Sequence, residues 1–259
     1  MSRWAACVEY QGGAYSGWQA QHHAPSVQAV VEAALSRVAD HAVETVAAGR
    51  TDAGVHGYGQ IIHFDSDSRR TPYAWLLGTN TALPDDVALR WVQPVGDEFH
   101  ARFSARSRAY RYVIHNARWR SALLLGRAAW VTWKLDAQAM HGAAQALLGE
   151  QDFSAFRDSE CQSRTPMREV QLIEVRREGD FVLLDIRANA FLHHMVRNIV
   201  GSLIEVGSGK QPQGWIAEVL ASRQRTRAGM NAPACGLYFV HAEYPAEFAL
   251  PPATPFWLP

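Results

Sequence analysis

Lysine is almost missing from this chain, with 2 copies against 23 of arginine in 259 residues. A planar five-donor fork therefore replaces a mobile point charge nearly everywhere, which suits bidentate phosphate contacts and stacking on bases. A GC-rich genome also raises Arg over Lys, so the placement of the arginines carries more weight than their number. Cysteine is scarce too. Cys7, Cys161 and Cys235 are odd in number and never spaced Cys-x-x-Cys, which argues against a disulfide framework and a cysteine zinc site and fits a reducing compartment. No window is apolar for the length needed to span a bilayer, and the opening Met-Ser-Arg-Trp lacks a signal-peptide pattern. A soluble, cytoplasmic protein with no membrane association is expected.

Net charge is zero, yet its distribution is uneven. Between Glu98 and Asp136 lie Arg102, Arg106, Arg108, Arg111, Arg118, Arg120, Arg127 and Lys134 with no acid among them. Arg223, Arg225 and Arg227 form a second run. Both read as contacts for a polyanion. Phe99-His-Ala-Arg-Phe103 interleaves aromatics with bases, as single-stranded RNA contacts do, although Phe99 and Phe103 also suit a core.

The stretch from Ala47 to Gly59 holds Gly49, Gly54, Gly57 and Gly59 around one carboxylate, Asp52. Four glycines are too many for a helix or strand interior, so a tight loop is expected between Val43-Glu-Thr-Val46 and the short strand Gln60-Ile-Ile-His-Phe64. Arg50 places positive charge beside Asp52. The composition is that of a site, and equally that of a solvated turn capped by the aspartate.

Gly49-Arg-Thr-Asp-Ala-Gly-Val-His56 resembles the signature of the tRNA pseudouridine synthase A family. The resemblance continues through Phe99-His-Ala-Arg-Phe-Ser-Ala105, Tyr110-Arg-Tyr112, Cys161-Gln-Ser-Arg-Thr-Pro166 and Ala188-Asn-Ala-Phe-Leu-His-His-Met-Val-Arg-Asn-Ile-Val-Gly201, nearly the whole chain. It implies an isomerase that converts uridine to pseudouridine at positions 38, 39 and 40 of the tRNA anticodon stem-loop, acting as a homodimer without a cofactor. Asp52 is implied as nucleophile on a flipped-out uridine, Tyr110 as the ring packing on uracil and a candidate base, and Arg197 as the ion partner of Asp52. Arg50 is implied in base flipping. The matched segments Phe99, His100, Ala101, Arg102, Phe103 and Cys161, Gln162, Ser163, Arg164 are candidate substrate contacts. Gln11 stands where the family usually has Asp, so it receives no catalytic role.

In chain order, Arg3 to Tyr10 reads as a strand, Ser26 caps a core-facing helix running to Asp40, Pro72 opens a helix, and Val87 to Val92 is a strand. That order is a split β-α-β pattern. Ser107 to His115 is a strand with Tyr110, Tyr112 and Ile114 on one face. Asp136 caps a helix through Leu148, a hairpin turns at Glu178-Gly179, and Phe191 to Val206 is one amphipathic helix with Arg197 at the edge of its apolar arc. Gly236 to Tyr244 closes the sheet. The expected fold is α+β, the pseudouridine synthase fold: two ferredoxin-like halves, residues 1–104 with the Asp52 loop and 105–259 with the Arg197 helix. The halves are expected to share a mainly antiparallel sheet with the active-site cleft between them.

On a helix the adjacent His193 and His194 would point about 100° apart, so no metal is expected. The proline-rich end from Leu250 to Pro259 is expected to be an extended arm. A noncatalytic RNA-binding module would explain the arginines but leaves the carboxylate loop without purpose. A glycoside or nucleoside hydrolase would need a second carboxyl about 5–9.5 Å away, and no matched motif supplies one.

Overall fold

The start of the chain forms β1 (Ser2–Tyr10), buried on both faces, with Trp4, Ala6, Val8 and Tyr10 on the side of the main core cluster. Ser26 caps α1 (Val27–Ala39), its hydroxyl accepting from the Ala29 amide at 3.4 Å. The helix ends on Asp40 in the left-handed region, φ 62°, a conformation Asp tolerates better than most residues. Then come β2 (Thr45–Ala47), β3 (His56–Ser66), α2 (Pro72–Ala82) and β4 (Val87–Val95). Thr71 caps α2 and Pro72 takes its first turn, where no amide is needed. This computed structural model describes residues 1–21 and 23–253.

Contacts divide the described residues into two compact units, the first holding residues 1–108 and 238–253, the second Ala109–Leu237. In the first unit the sheet runs β4-β1-β3, with β2 also on β3, all antiparallel. Together with α1 and α2 this is the split β-α-β arrangement. Tyr238 and Phe239 add to the His56–Gly57 end of β3 in parallel. Trp4, Val8, Val31, Leu35, Phe64 and Trp75 belong to one buried cluster between sheet and helices.

The glycine-rich stretch is shorter as a loop than its composition suggests, because β3 already begins at His56 and carries Gly57 and Gly59 inside it. The cause lies in neighbouring chain. A Cβ on Gly57 would stand 2.2 Å from the Tyr10 ring, and one on Gly59 2.3 Å from the Val240 carbonyl oxygen.

β5 (Ser107–Asn116) carries the chain into the second unit, followed by β6 (Ala129–Val131) and α3 (Ala137–Ala144), and Asp136 caps α3 through the Ala139 amide at 2.9 Å. A 3-10 turn over Gln145–Leu147 follows, then β7 (Gly149–Asp152), β8 (Met167–Glu178) and β9 (Phe181–Ala188). The β8–β9 hairpin turns through Gly179 at φ 57°. Next are α4 (Met195–Gly207) and α5 (Trp215–Ser222), and β10 (Leu237–Glu243) leads the chain back into the first unit.

The amphipathic helix starts four residues later than its pattern predicts. His194 sits at φ 59° just before α4, and residues 191–194 are not helical. His193 and His194 therefore do not diverge as helical neighbours would. Their rings stack at 3.9 Å between centroids and 27° between planes. Leu250–Ala253 has no regular structure, and the rest of the expected arm, 254–259, lies outside the described residues. No helix among the described residues is long and apolar enough to cross a membrane.

Candidate active site

In the first unit Asp52 lies half-buried at the head of a turn closed by the Val55 amide on its own carbonyl, 3.1 Å, with Gly54 at φ 78° in the third position. A positive φ at the third position of a turn calls for Gly there. The segment from Gly12 to Trp18 folds directly onto it. Gly54 donates to the Tyr15 carbonyl at 3.3 Å, Trp18 donates to that of Thr51 at 3.0 Å, and the Gly12 amide reaches His56 Nδ1 at 3.0 Å. Gly17, at φ 98°, passes so near that a Cβ would lie 2.6 Å from the Thr51 carbonyl oxygen. Arg50 is exposed, and among the described residues its guanidinium makes no hydrogen bond or ion pair. The loop thus presents a carboxylate and an unengaged cation two residues apart on tightly held backbone.

The Phe99 to Phe103 segment, also in the first unit, divides by exposure. Phe99 is 0% exposed, with its ring against Tyr244 and Phe248, and Ala101 is equally buried. Phe103 is 75% exposed, stacked on His100 at 4.3 Å with the Arg102 guanidinium 5.6 Å from its ring centre. Only His100, Arg102 and Phe103 have side chains a ligand could reach. Beneath them His63 is buried, its Nδ1 accepting from the Ala101 amide at 3.1 Å. Burial, helped by the nearby Arg3 charge, pushes His63 down to about 4. An unfolded chain takes up this proton near pH 6.5, so stability present above that value is lost as pH falls toward 4, roughly 2–4 kcal/mol in all. Urea unfolding at pH 7 and pH 4.5 is expected to show this loss shrinking in His63→Asn. An equal loss in wild type and mutant would exclude His63 as its source.

The second unit carries Tyr110, Arg197 and the segment after Phe156. Tyr110 is 9% exposed, and its ring meets Phe191 edge-on at 5.0 Å. Arg197 is half-buried on the first turn of α4; its Nε donates to the Ala232 carbonyl at 2.8 Å while its own carbonyl accepts from the Ala232 amide at 3.1 Å. That reciprocal pair sets the direction of the side chain. His194 Nδ1 meets Asp158 Oδ2 at 2.8 Å, and His193 Nδ1 lies 3.9 Å from Oδ1. Backbone amide donation from Glu160, then the imidazole of His194, holds the Asp158 carboxyl below its ordinary value.

Two guanidinium groups shape the Cys161–Arg164 segment. Arg157 donates to the carbonyls of Cys161 (2.6 Å) and Ser163 (2.9 Å), and Arg168 to the Ser163 hydroxyl (2.6 Å) and the Thr165 carbonyl (3.0 Å). Cys161 and Ser163 are turned inward while Gln162 and Arg164 are exposed. Elsewhere in the basic stretch Arg108 and Arg111 are held by other parts of the chain. Arg108 donates to the carbonyls of Ala48, Ala105 and Arg102, and Arg111 forms a two-pronged pair with Asp185, which Arg176 also contacts.

A family model described as tRNA pseudouridine synthase matches residues 6–104 and 143–245, which include the Asp52 loop and Arg197 but not Tyr110. The chain belongs to the tRNA pseudouridine synthase family. Its curated relatives include the tRNA pseudouridine synthase A of Xanthomonas axonopodis pv. citri, 57% identical over 96% of this chain and 98% of the relative. The protein of the same name from Aeromonas hydrophila is 56% identical over 99% and 96%, and that from Pectobacterium atrosepticum 54% over 95% and 87%. A solved Cbf5-Nop10-Gar1 complex resembles the chain distantly, at 13% identity and a TM-score of 0.36, covering 91% of this chain and 48% of that one. As a tRNA pseudouridine synthase family member the chain is an isomerase, and its mixed α+β architecture is the one expected of that family.

Tyr10, Gln60 and Asp158 carry no sequence signal of a site beyond their strands and neighbouring motifs. Tyr10 and Gln60 surface only through strand register, since β1 pairs Tyr10 with Gly57 and Val8 with Gln60. Asp158 lies just before a matched motif and had no signal of its own.

Proposed function

We propose that this protein converts uridine to pseudouridine at positions 38, 39 and 40 in the anticodon stem-loop of tRNAs, with Asp52 as nucleophile on a flipped-out nucleotide. The observation carrying this reading is the Asp52 loop, a half-buried carboxylate on a clamped turn beside the exposed, unengaged Arg50. The reaction breaks the bond from C1′ to N1, turns the base, and joins C1′ to C5. N1 gains a proton and C5 gives one up, so there is no net redox change.

The carboxylate attacks the sugar or the uracil, or assists departure of the base. Tyr110 packs on the uracil, with its hydroxyl as a base candidate, and Arg197 supplies positive charge to the carboxylate. Arg50 occupies or braces the space left by the extruded nucleotide. His100, Arg102 and Phe103, with Gln162 and Arg164, contact RNA. Their mix of exposed aromatic and cation fits stacking and backbone contact. Neighbouring target positions require reading of shape and backbone more than base sequence, which exposed arginines such as Arg118 and Arg120 support.

The protein acts in the cytoplasm as a homodimer. Supporting that state, Trp119, Leu123 and Leu125 are 74%, 87% and 78% exposed in the second unit, apolar surface of the kind a second copy covers.

A tRNA transcript tritiated at uracil C5 provides the test. The expected result is tritium release to water, no free uracil, and pseudouridine confined to positions 38 to 40. Free uracil would mean hydrolysis, and modification elsewhere in the tRNA would overturn the anticodon assignment.

A further inference from the structure

The backbone of Gly49-Arg-Thr-Asp52 is held at alternate residues. The Gln60 side-chain amide donates to the Gly49 carbonyl at 2.6 Å. Two residues on, Thr51 Oγ1 shares a hydrogen bond of 2.8 Å with the Tyr10 hydroxyl, and the Thr51 carbonyl accepts from the Trp18 amide. Gly49 and Thr51 are therefore anchored inward, while Arg50 is exposed and Asp52 half-buried. The anchors are interior groups. Tyr10 is 3% and Gln60 0% exposed, and burial keeps the Tyr10 phenol protonated far beyond its ordinary value.

Gln60 lies on β3, which pairs with the strand β1 that carries Tyr10. The Gln60 Oε1 is buried without a hydrogen-bond partner among the described residues, which is a cost to stability. Turning the amide over would set that oxygen against the Gly49 carbonyl, so the orientation is forced. Gly57 completes the arrangement by leaving room for the Tyr10 ring, which also packs at 5.8 Å on Trp18.

We propose that Tyr10, Thr51 and Gln60 are positioning residues that hold Asp52 in its reactive placement without touching the substrate. The inference rests on the reading of Asp52 as nucleophile. A carboxylate held this way meets its target already aligned, and misplacement on the order of 1 Å costs about a hundredfold in rate. Binding of the RNA uses other groups, so the loss should fall on turnover.

Tyr10→Phe keeps the ring and removes the hydroxyl. Thr51→Val removes the other half of the same hydrogen bond at almost constant shape, and Thr51→Ser retains it. On tRNA, Tyr10→Phe and Thr51→Val are expected to lower kcat about ten- to hundredfold with KM within about twofold, and Thr51→Ser to stay within about threefold of wild type. The double variant should be no slower than the slower single, because both remove one bond. If one variant fails to fold, the other still decides. Unchanged kcat in a folded Tyr10→Phe or Thr51→Val, a rise in KM matching the fall in kcat, or failure of Thr51→Ser to preserve turnover would each overturn the proposal. Asp52→Asn is measured alongside. If it still turns over, the nucleophile reading fails and takes this one with it; if it is dead while Tyr10→Phe and Thr51→Val act as wild type, only the positioning role fails.

Discussion

Asp52→Asn is expected to bind tRNA within a few-fold of wild type and to convert no uridine. Asparagine keeps the side chain's shape and can still open the turn closed by the Val55 amide, because that bond uses the Asp52 backbone carbonyl. What disappears is the nucleophilic oxygen, and a neutral amide does not replace a carboxylate in covalent catalysis. Single-turnover conversion and filter binding on one preparation separate the two effects. Residual turnover above about a hundredth of wild type would sink the nucleophile assignment, since loss of a covalent nucleophile should cost more than that.

Arg197→Met should be the next most damaging change. The Met stem fills most of the volume the Arg stem packs into, yet the charge and the Nε bond to the Ala232 carbonyl are lost together. Removing one preorganised electrostatic group from an active site costs about a hundred- to a thousandfold in kcat. Arg197→Lys, which keeps charge but not the planar fork, should recover only part of it. Single-turnover rates at saturating tRNA provide the readout, with thermal melting to show the fold intact. A folded Arg197→Met within about threefold of wild type would remove its charge from the mechanism.

What could be read from the chain depended on how local its cause was. The Ser26 cap, Pro72 at a helix start and Gly179 in a hairpin each act within a few residues, and each element was legible. Gly57 was not, because the ring that demands a glycine there belongs to Tyr10 on the adjacent strand. His193 and His194 kept helical periodicity in sequence, while Asp158, far back in the chain, meets His194 in the turn before α4. Phe99 and Phe103 look alike in sequence and end in core and on surface. Arg108 and Arg111 belong to the basic run in sequence, yet the Ala48 carbonyl and Asp185, distant along the chain, engage them. Asp52, Arg197 and Tyr110 stand as candidates only through motif resemblance, since their local composition alone suits a turn, a helix surface and ordinary packing.

The strand that covers the His56–Gly57 end of β3 comes from residue 238 onward, about 130 residues after the rest of the first unit is complete. At ribosomal rates of about 5–20 residues per second that is roughly 7–26 s of further synthesis. Throughout this interval the nascent chain holds the border of the Asp52 loop as an open sheet edge, and His56 lacks the Tyr238 ring that later stacks on it at 4.6 Å. Open edges are where chains pair wrongly. Nascent chains stalled before residue 238 therefore carry the Asp52 motif in full and lack the strand that seals its border.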